Sequence, residues 1–144
     1  MNIALIAHDA KKELMVQFCI AYCGILSRHH LCATHITGKY ISEATGLDIE
    51  TFLAGSTGGV DQIAAKVSYN ELDLVFYFRS TDPEQEPYEA EKNLLRLCDV
   101  YNIPVATNIA TAEALVTALG NGDLNWREFI NPISDYNKKK RGKL

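Results

Sequence analysis

The hydrophobic pattern of the chain switches repeatedly between short unbroken apolar runs and a period near 3.6. Residues 3–7 form one such run, the signature of a parallel strand covered on both faces. His8 and Asp9 follow, and residues 11–27 place Leu14, Phe18, Tyr22 and Leu26 on one helical stripe. Residues 31–36 predict a second strand, closed by Thr37-Gly38, and a short helix over 41–45 ends at Gly46. An extended piece near Phe52-Leu53 leads into Gly55-Ser56-Thr57-Gly58-Gly59, after which 60–69 reads as a helix. A strand is predicted over 72–78, and the polar stretch 79–91 predicts a long loop of the kind that often carries function. A helix over 92–101, a strand over 104–107 and a helix over 110–119 complete the pattern. Strand-then-helix repetition predicts a doubly wound α/β fold with a mainly parallel sheet between two helical layers.

Composition narrows this picture without changing it. The 144 residues are 47% hydrophobic and 22% charged, which suits one domain with its own core and argues against wholesale disorder. No apolar run approaches the roughly 20 residues of a bilayer-crossing helix. The first residues offer no basic leader, so they read as a strand rather than a signal peptide. A net charge of −4 supplies no electrostatic footprint for nucleic acid. Cys19, Cys23, Cys32 and Cys98 lie in apolar stretches, which suits buried reduced thiols and a cytoplasmic location. Cys19 and Cys23 lack a second ligand pair, and His29-His30-x-Cys32 matches no zinc spacing, so no metal or cofactor is expected. Residues 133–144, with Lys138, Lys139, Lys140, Arg141 and Lys143, are expected to form a basic, solvated, flexible tail after a domain over 1–132. Nucleic-acid contact by that tail is the lesser alternative.

Ligands of an open parallel sheet bind beyond the carboxyl ends of its strands. Here those ends gather hydroxyls, glycine backbone, an arginine and carboxylates on one rim. Gly55-Ser56-Thr57-Gly58-Gly59 opening a helix suits an anion, because glycines let N–H groups approach a phosphate and the helix start adds positive charge. The same glycines also suit a tight loop that needs positive φ. Neither a P-loop nor a dinucleotide fingerprint is present. Thr34-x-x-Thr37-Gly38 on the neighbouring rim favours phosphate, and Lys12 offers a cation near the first helix start. His8-Asp9 reads as a helix cap through Asp9 or as part of a site, and its place on the rim favours the site.

These residues resemble a known family. Ile3-Ala4-Leu5-Ile6-Ala7-His8-Asp9-x-Lys11-Lys12 is similar to the opening of methylglyoxal synthases, as are Glu43-Ala44-Thr45-Gly46-Leu47 and Ala54-Gly55-x-x-Gly58-Gly59. The longest similar stretch runs from Leu95-Arg96-Leu97-Cys98-Asp99 through Ile103-Pro104-x-Ala106-Thr107-Asn108 to Thr111-Ala112. The likeness spans about residues 1–130 and implies a three-layer, Rossmann-like, methylglyoxal synthase-like fold. It implies conversion of dihydroxyacetone phosphate to methylglyoxal and inorganic phosphate, by a base, donors to an enediolate and a phosphate nest. In that scheme Lys12, Thr34, Thr37, Gly55, Ser56, Gly58 and Gly59 bind phosphate, and His8, Asp9, Asp61, Asp82, Tyr88 and Glu91 serve the chemistry.

Three blocks depart from the family pattern. Ala33-Thr34-His35-Ile36-Thr37-Gly38 stands where members read Ala-Thr-Gly-Thr-Thr-Gly. Val60 falls where they carry the Asp base, with Asp61 one residue on, and one residue at a helix start turns a side chain by about 100°. Asp82-Pro83 and Pro87-Tyr88-x-x-Glu91 trace Asp-Pro and Pro-His-x-x-Asp, so Tyr88 replaces a proton-shuttling His. The alternative is therefore a catalytically impaired homologue that binds a phosphorylated metabolite as a regulatory module. The resemblance also implies a homo-oligomer, commonly a hexamer, and small phosphorylated partners with neither nucleic acid nor membrane.

Overall fold

A computed structural model describes residues 1–142 of the chain. Strands β1 (Asn2–Ala7), β2 (His30–Ala33), β3 (Ile49–Thr51), β4 (Leu74–Phe78) and β5 (Val105–Ala106) pair in parallel in the order β3-β2-β1-β4-β5. The helices are α1 (Lys12–Ala21), α2 (Cys23–Leu26), α3 (His35–Thr45), α4 (Gly59–Ser68), α5 (Glu89–Val100), α6 (Ile109–Gly120), α7 (Arg127–Ile130) and α8 (Asp135–Gly142). The chain winds outward from β1 to β3, then returns to β4 beside β1. That reversal opens a crevice between the carboxyl ends of β1 and β4, the usual ligand position in such sheets.

Alternation of side chains explains why β1 and β4 read as unbroken apolar runs. Ile3, Leu5, Phe76 and Phe78 point to one layer, where they meet Met15, Phe18, Ile41 and Val116 of α1, α3 and α6. Ala4, Ile6, Val75 and Tyr77 point to the other, against Ile63, Val67 and Leu94 of α4 and α5. Phe18 docks α1 on the sheet, its ring centroid 5.1 Å from Phe76 and 5.7 Å from Phe78. Each fully buried side chain of this kind contributes about 1.5–3 kcal/mol. Cys19, Cys32 and Cys98 are free thiols inside these layers, and burial pushes each up to about 12.

Several boundaries differ from the sequence pattern. The expected strand over 31–36 stops at Ala33, because Thr34 caps a helix that begins at His35. Thr37 and Gly38 therefore lie in the first turns of α3 and do not close a strand. A Cβ on Gly38 would meet Thr51 Cγ2 at 2.6 Å, so this glycine lets α3 lie close on β3. Gly46 ends α3 in the left-handed conformation, as its sequence position suggests. The helix over 11–27 is interrupted at Tyr22, where the backbone leaves helical geometry and the ring packs on Phe18.

At the C-terminal end, residues 135–142 are helical where the sequence suggests a solvated tail. Asn137 donates through its side chain to the Asn131 carbonyl at 2.6 Å, and Arg141 donates to that of Pro132. Lys143 lies outside the described residues. The short α7 also escapes the pattern, although its Arg127 is wholly buried and bonds Asp73 at 3.1 Å. No helix among the described residues is long and apolar enough to cross a membrane.

Candidate active site

A cavity of about 440 Å³ opens at the reversal point, bordered by the ends of β1 and β4 and the starts of α1, α3, α4 and α5. Its floor is apolar, formed by Ile6, Ala7, Val60 and Tyr77, and its rim is polar. An adjoining cavity of about 580 Å³ shares Asp9, Lys12 and Ile36 with it.

His8 and Asp9 follow the end of β1, and Lys12 opens α1. The His8 backbone N–H donates to Phe78 O at 2.9 Å, which seats it between the two central strands. Its Nδ1 accepts from the Ala10 N–H at 3.2 Å, so His8 rather than Asp9 caps the turn that follows. A neutral ring with Nδ1 occupied in this way carries its proton on Nε2, which lies 2.9 Å from the Gln85 side-chain amide. Lys12 Nζ donates to Ala7 O at 3.2 Å and to Asp9 Oδ1 at 2.5 Å. That bond and the ammonium charge hold the Asp9 carboxyl below the usual carboxylate range.

The phosphate-type features lie opposite. Thr34 is buried at the N-cap of α3, its hydroxyl makes no cap bond, and it lines the cavity with Ile36. Thr37 is buried one turn in and outside the lining, its Oγ1 without a partner among the described residues. Gly55 and Ser56 line the cavity on a tight turn, and Gly58 joins them with φ +108°, a conformation that favours glycine. Gly59 stands behind this wall: a Cβ there would lie 1.9 Å from Leu53 O. It serves close packing, while its neighbours present backbone.

Both Val60 and Asp61 border the cavity. Val60 is buried in the layer beneath α4, and Asp61 is exposed at the rim. Asp61 makes no salt bridge among the described residues. From the third block, Tyr88 reaches the rim as an exposed side chain at the start of α5. Glu91 also borders the cavity but is buried against Arg79, with Oε1 3.4 Å from Nε. Asp82 does not reach the lining; its Oδ1 accepts from the Glu84 N–H at 3.0 Å within the loop.

Two participants carried no signal that sequence reasoning could use. Tyr77 sits in the apolar run of β4, yet it faces the cavity, and burial followed by the Glu91 charge pushes its phenol up. Gln85 is one polar residue among many in a polar loop. The assembled site offers a cation, backbone amides and hydroxyls for an anion. Beside them stand an imidazole donor and a carboxylate without a counter-charge.

Comparison with known proteins agrees with this fold. The family model described as the MGS-like domain matches residues 15–107. A methylglyoxal synthase from Caldicellulosiruptor saccharolyticus is 59% identical over 96% of this chain and 98% of its own. One from Oceanobacillus iheyensis is 52% identical over 90% of this chain and 93% of its own. A crystal structure of methylglyoxal synthase from Elizabethkingia anophelis superposes with a TM-score of 0.73 at 34% identity, covering 81% of this chain and 76% of that one.

Proposed function

Because the chain belongs to the MGS-like family of methylglyoxal synthases, we propose that it converts dihydroxyacetone phosphate to methylglyoxal and inorganic phosphate. The observation that carries this reading is one cavity lined by the Asp61 carboxylate, which has no salt bridge among the described residues, by the His8 imidazole, by Lys12 and by the glycine turn over 55–58. Lys12, the backbone of residues 55–58, the Ser56 and Thr34 hydroxyls and the first turn of α3 hold the phosphate. Thr37 and Gly59 support that nest from behind. His8 Nε2–H donates to the carbonyl oxygen, where negative charge develops.

Asp61 removes the proton beside the carbonyl. The electron pair left behind forms the enediolate double bond; its collapse breaks the carbon–oxygen bond to phosphate, which leaves toward Lys12, and the enol that remains takes a proton on its terminal carbon to give methylglyoxal. Asp9 and Glu91 are already engaged by Lys12 and Arg79, which leaves Asp61 for the proton transfer. Tyr88 occupies the rim position for proton delivery, and Asp82 acts through the loop that it shapes. The binding-module alternative is not favoured, because relatives 52% and 59% identical to this chain over 90% and 96% of its length carry the enzyme's name.

Pure protein incubated with dihydroxyacetone phosphate is expected to form methylglyoxal above a heat-killed control. Absence of product, under conditions where phosphate still raises the melting temperature, overturns the enzyme reading. Residues 1–132 make up the catalytic domain in this proposal, with residues 133–144 a basic extension. The protein acts in the cytoplasm as an assembly of identical subunits, a hexamer by the family pattern. The exposed Trp126, Phe129, Ile130 and Tyr136 suit such an assembly.

A further inference from the structure

We propose that Gln85 is a positioning residue for His8, holding the imidazole in the Nε2–H form and in one orientation beside the cavity. The other ring nitrogen sets the tautomer. Nδ1 has its lone pair on the Ala10 N–H at 3.2 Å, so the neutral ring must carry its proton on Nε2. The Gln85 side-chain nitrogen and His8 Nε2 lie 2.9 Å apart; two N–H donors cannot pair, so the amide carries its oxygen toward the ring, where it accepts that proton. The same turn reverses the bond at the other end of the amide: Ser80 Oγ, 3.0 Å away, accepts from the NH2 where it would otherwise donate to the amide oxygen.

Ser80 is fixed in turn. Its Oγ accepts the Asp82 backbone N–H at 3.3 Å, inside the turn that the Asp82 carboxylate closes on Glu84. A chain of bonds therefore runs from the polar loop to the imidazole. This gives Asp82, which lies outside the cavity, a path to the site through Ser80 and Gln85. The inference rests on the proposed reaction in one respect only, that His8 donates to a ligand oxygen. That oxygen takes the Nε2–H by exchange with the Gln85 oxygen, so the donor enters the reaction already aimed.

The test compares Gln85→Leu, which removes the acceptor, with Gln85→Glu, which keeps an oxygen in the same place. Nitrogen-edited NMR of the full chain at about pH 8 reads the His8 ring proton, which a hydrogen bond protects from exchange with water. The protected Nε2–H signal is expected in the unsubstituted protein and in Gln85→Glu, and lost in Gln85→Leu at an unchanged melting temperature. With dihydroxyacetone phosphate, Gln85→Leu is expected to lower kcat about tenfold while KM stays within about twofold, and Gln85→Glu to recover most of the loss. Should Gln85→Leu not fold, Ser80→Ala is expected to weaken the same signal. A protected signal that survives in Gln85→Leu overturns the proposal, as does one that Gln85→Glu fails to restore. The NMR arm needs no turnover, so it stands even if no methylglyoxal forms and the proposed reaction fails.

Discussion

A single register step separates Val60 from Asp61, and it decides which side chain meets water. About 100° of helix rotation sends Val60 into the layer beneath α4 and leaves Asp61 on the rim. Of the carboxylates lining the cavity, Asp9 is bonded by Lys12 and Glu91 by Arg79, so Asp61 is the one without a salt bridge among the described residues. Asp61→Asn is expected to lower kcat about a hundredfold or more with the melting temperature unchanged, measured by methylglyoxal formation. A second residue matters for stability. Burial, reinforced by the N-terminal ammonium, pushes the His29 imidazole from 6.5 down to about 4. Between those values the unfolded chain binds a proton that the folded chain refuses, so stability falls as pH drops through the window. His29→Gln is expected to flatten that fall, read from urea midpoints taken between about pH 4 and pH 7.

At the scale of elements, the glycine turn shows how backbone crowding makes a ligand wall. Gly58 supplies the positive φ, and Gly59 lets the start of α4 pass against the Leu53 carbonyl. A Cβ on Gly59 would lie 1.9 Å from Leu53 O and 2.8 Å from its carbon, and backbone atoms cannot swing aside. Gly59→Ala is expected to cost about 3 kcal/mol or more in urea unfolding. Gly24 in α2 meets nothing within 4 Å, so Gly24→Ala is expected to raise stability by a few tenths to about 1 kcal/mol. The pair separates lost space from lost flexibility. At the α3 start, Thr37 and Gly38 look like the close of a strand, yet they lie in a helix that Thr34 caps and that Gly38 lets settle close on β3.

Over the whole molecule the two ends of the sheet divide the work. The carboxyl ends hold the site, and the amino ends hold a buried polar knot. Asp73 Oδ2 accepts the Asn2 N–H at 2.7 Å, while Oδ1 accepts from Arg127 Nε at 3.1 Å and Asn131 Nδ2 at 3.0 Å. This knot ties α7 to the start of β4, far from the ligand wall. Asp73→Ala leaves the Arg127 charge buried without its counter-ion and is expected to cost about 3–5 kcal/mol in urea unfolding. KM for dihydroxyacetone phosphate is expected to hold at temperatures where the variant stays folded.

Local pattern was enough for much of this protein. Residues 3–7 and 72–78 announce the two central strands, because a strand buried on both faces needs an unbroken apolar run. Gly55, Gly58, Lys12 and His8 were legible on the rim, since sheet topology alone sends strand ends there. Tertiary structure decided the rest. The Arg79–Glu91 and Lys12–Asp9 pairs left Asp61 as the one cavity carboxylate without a salt bridge among the described residues. Gln85 found His8 across 77 positions, and Arg127 found Asp73 across 54. Such bonds depend on strand order and on how helices settle against the sheet, and periodicity along one segment encodes neither. The chemistry of the rim was written locally, and the state of each group on it was set by partners distant in the chain.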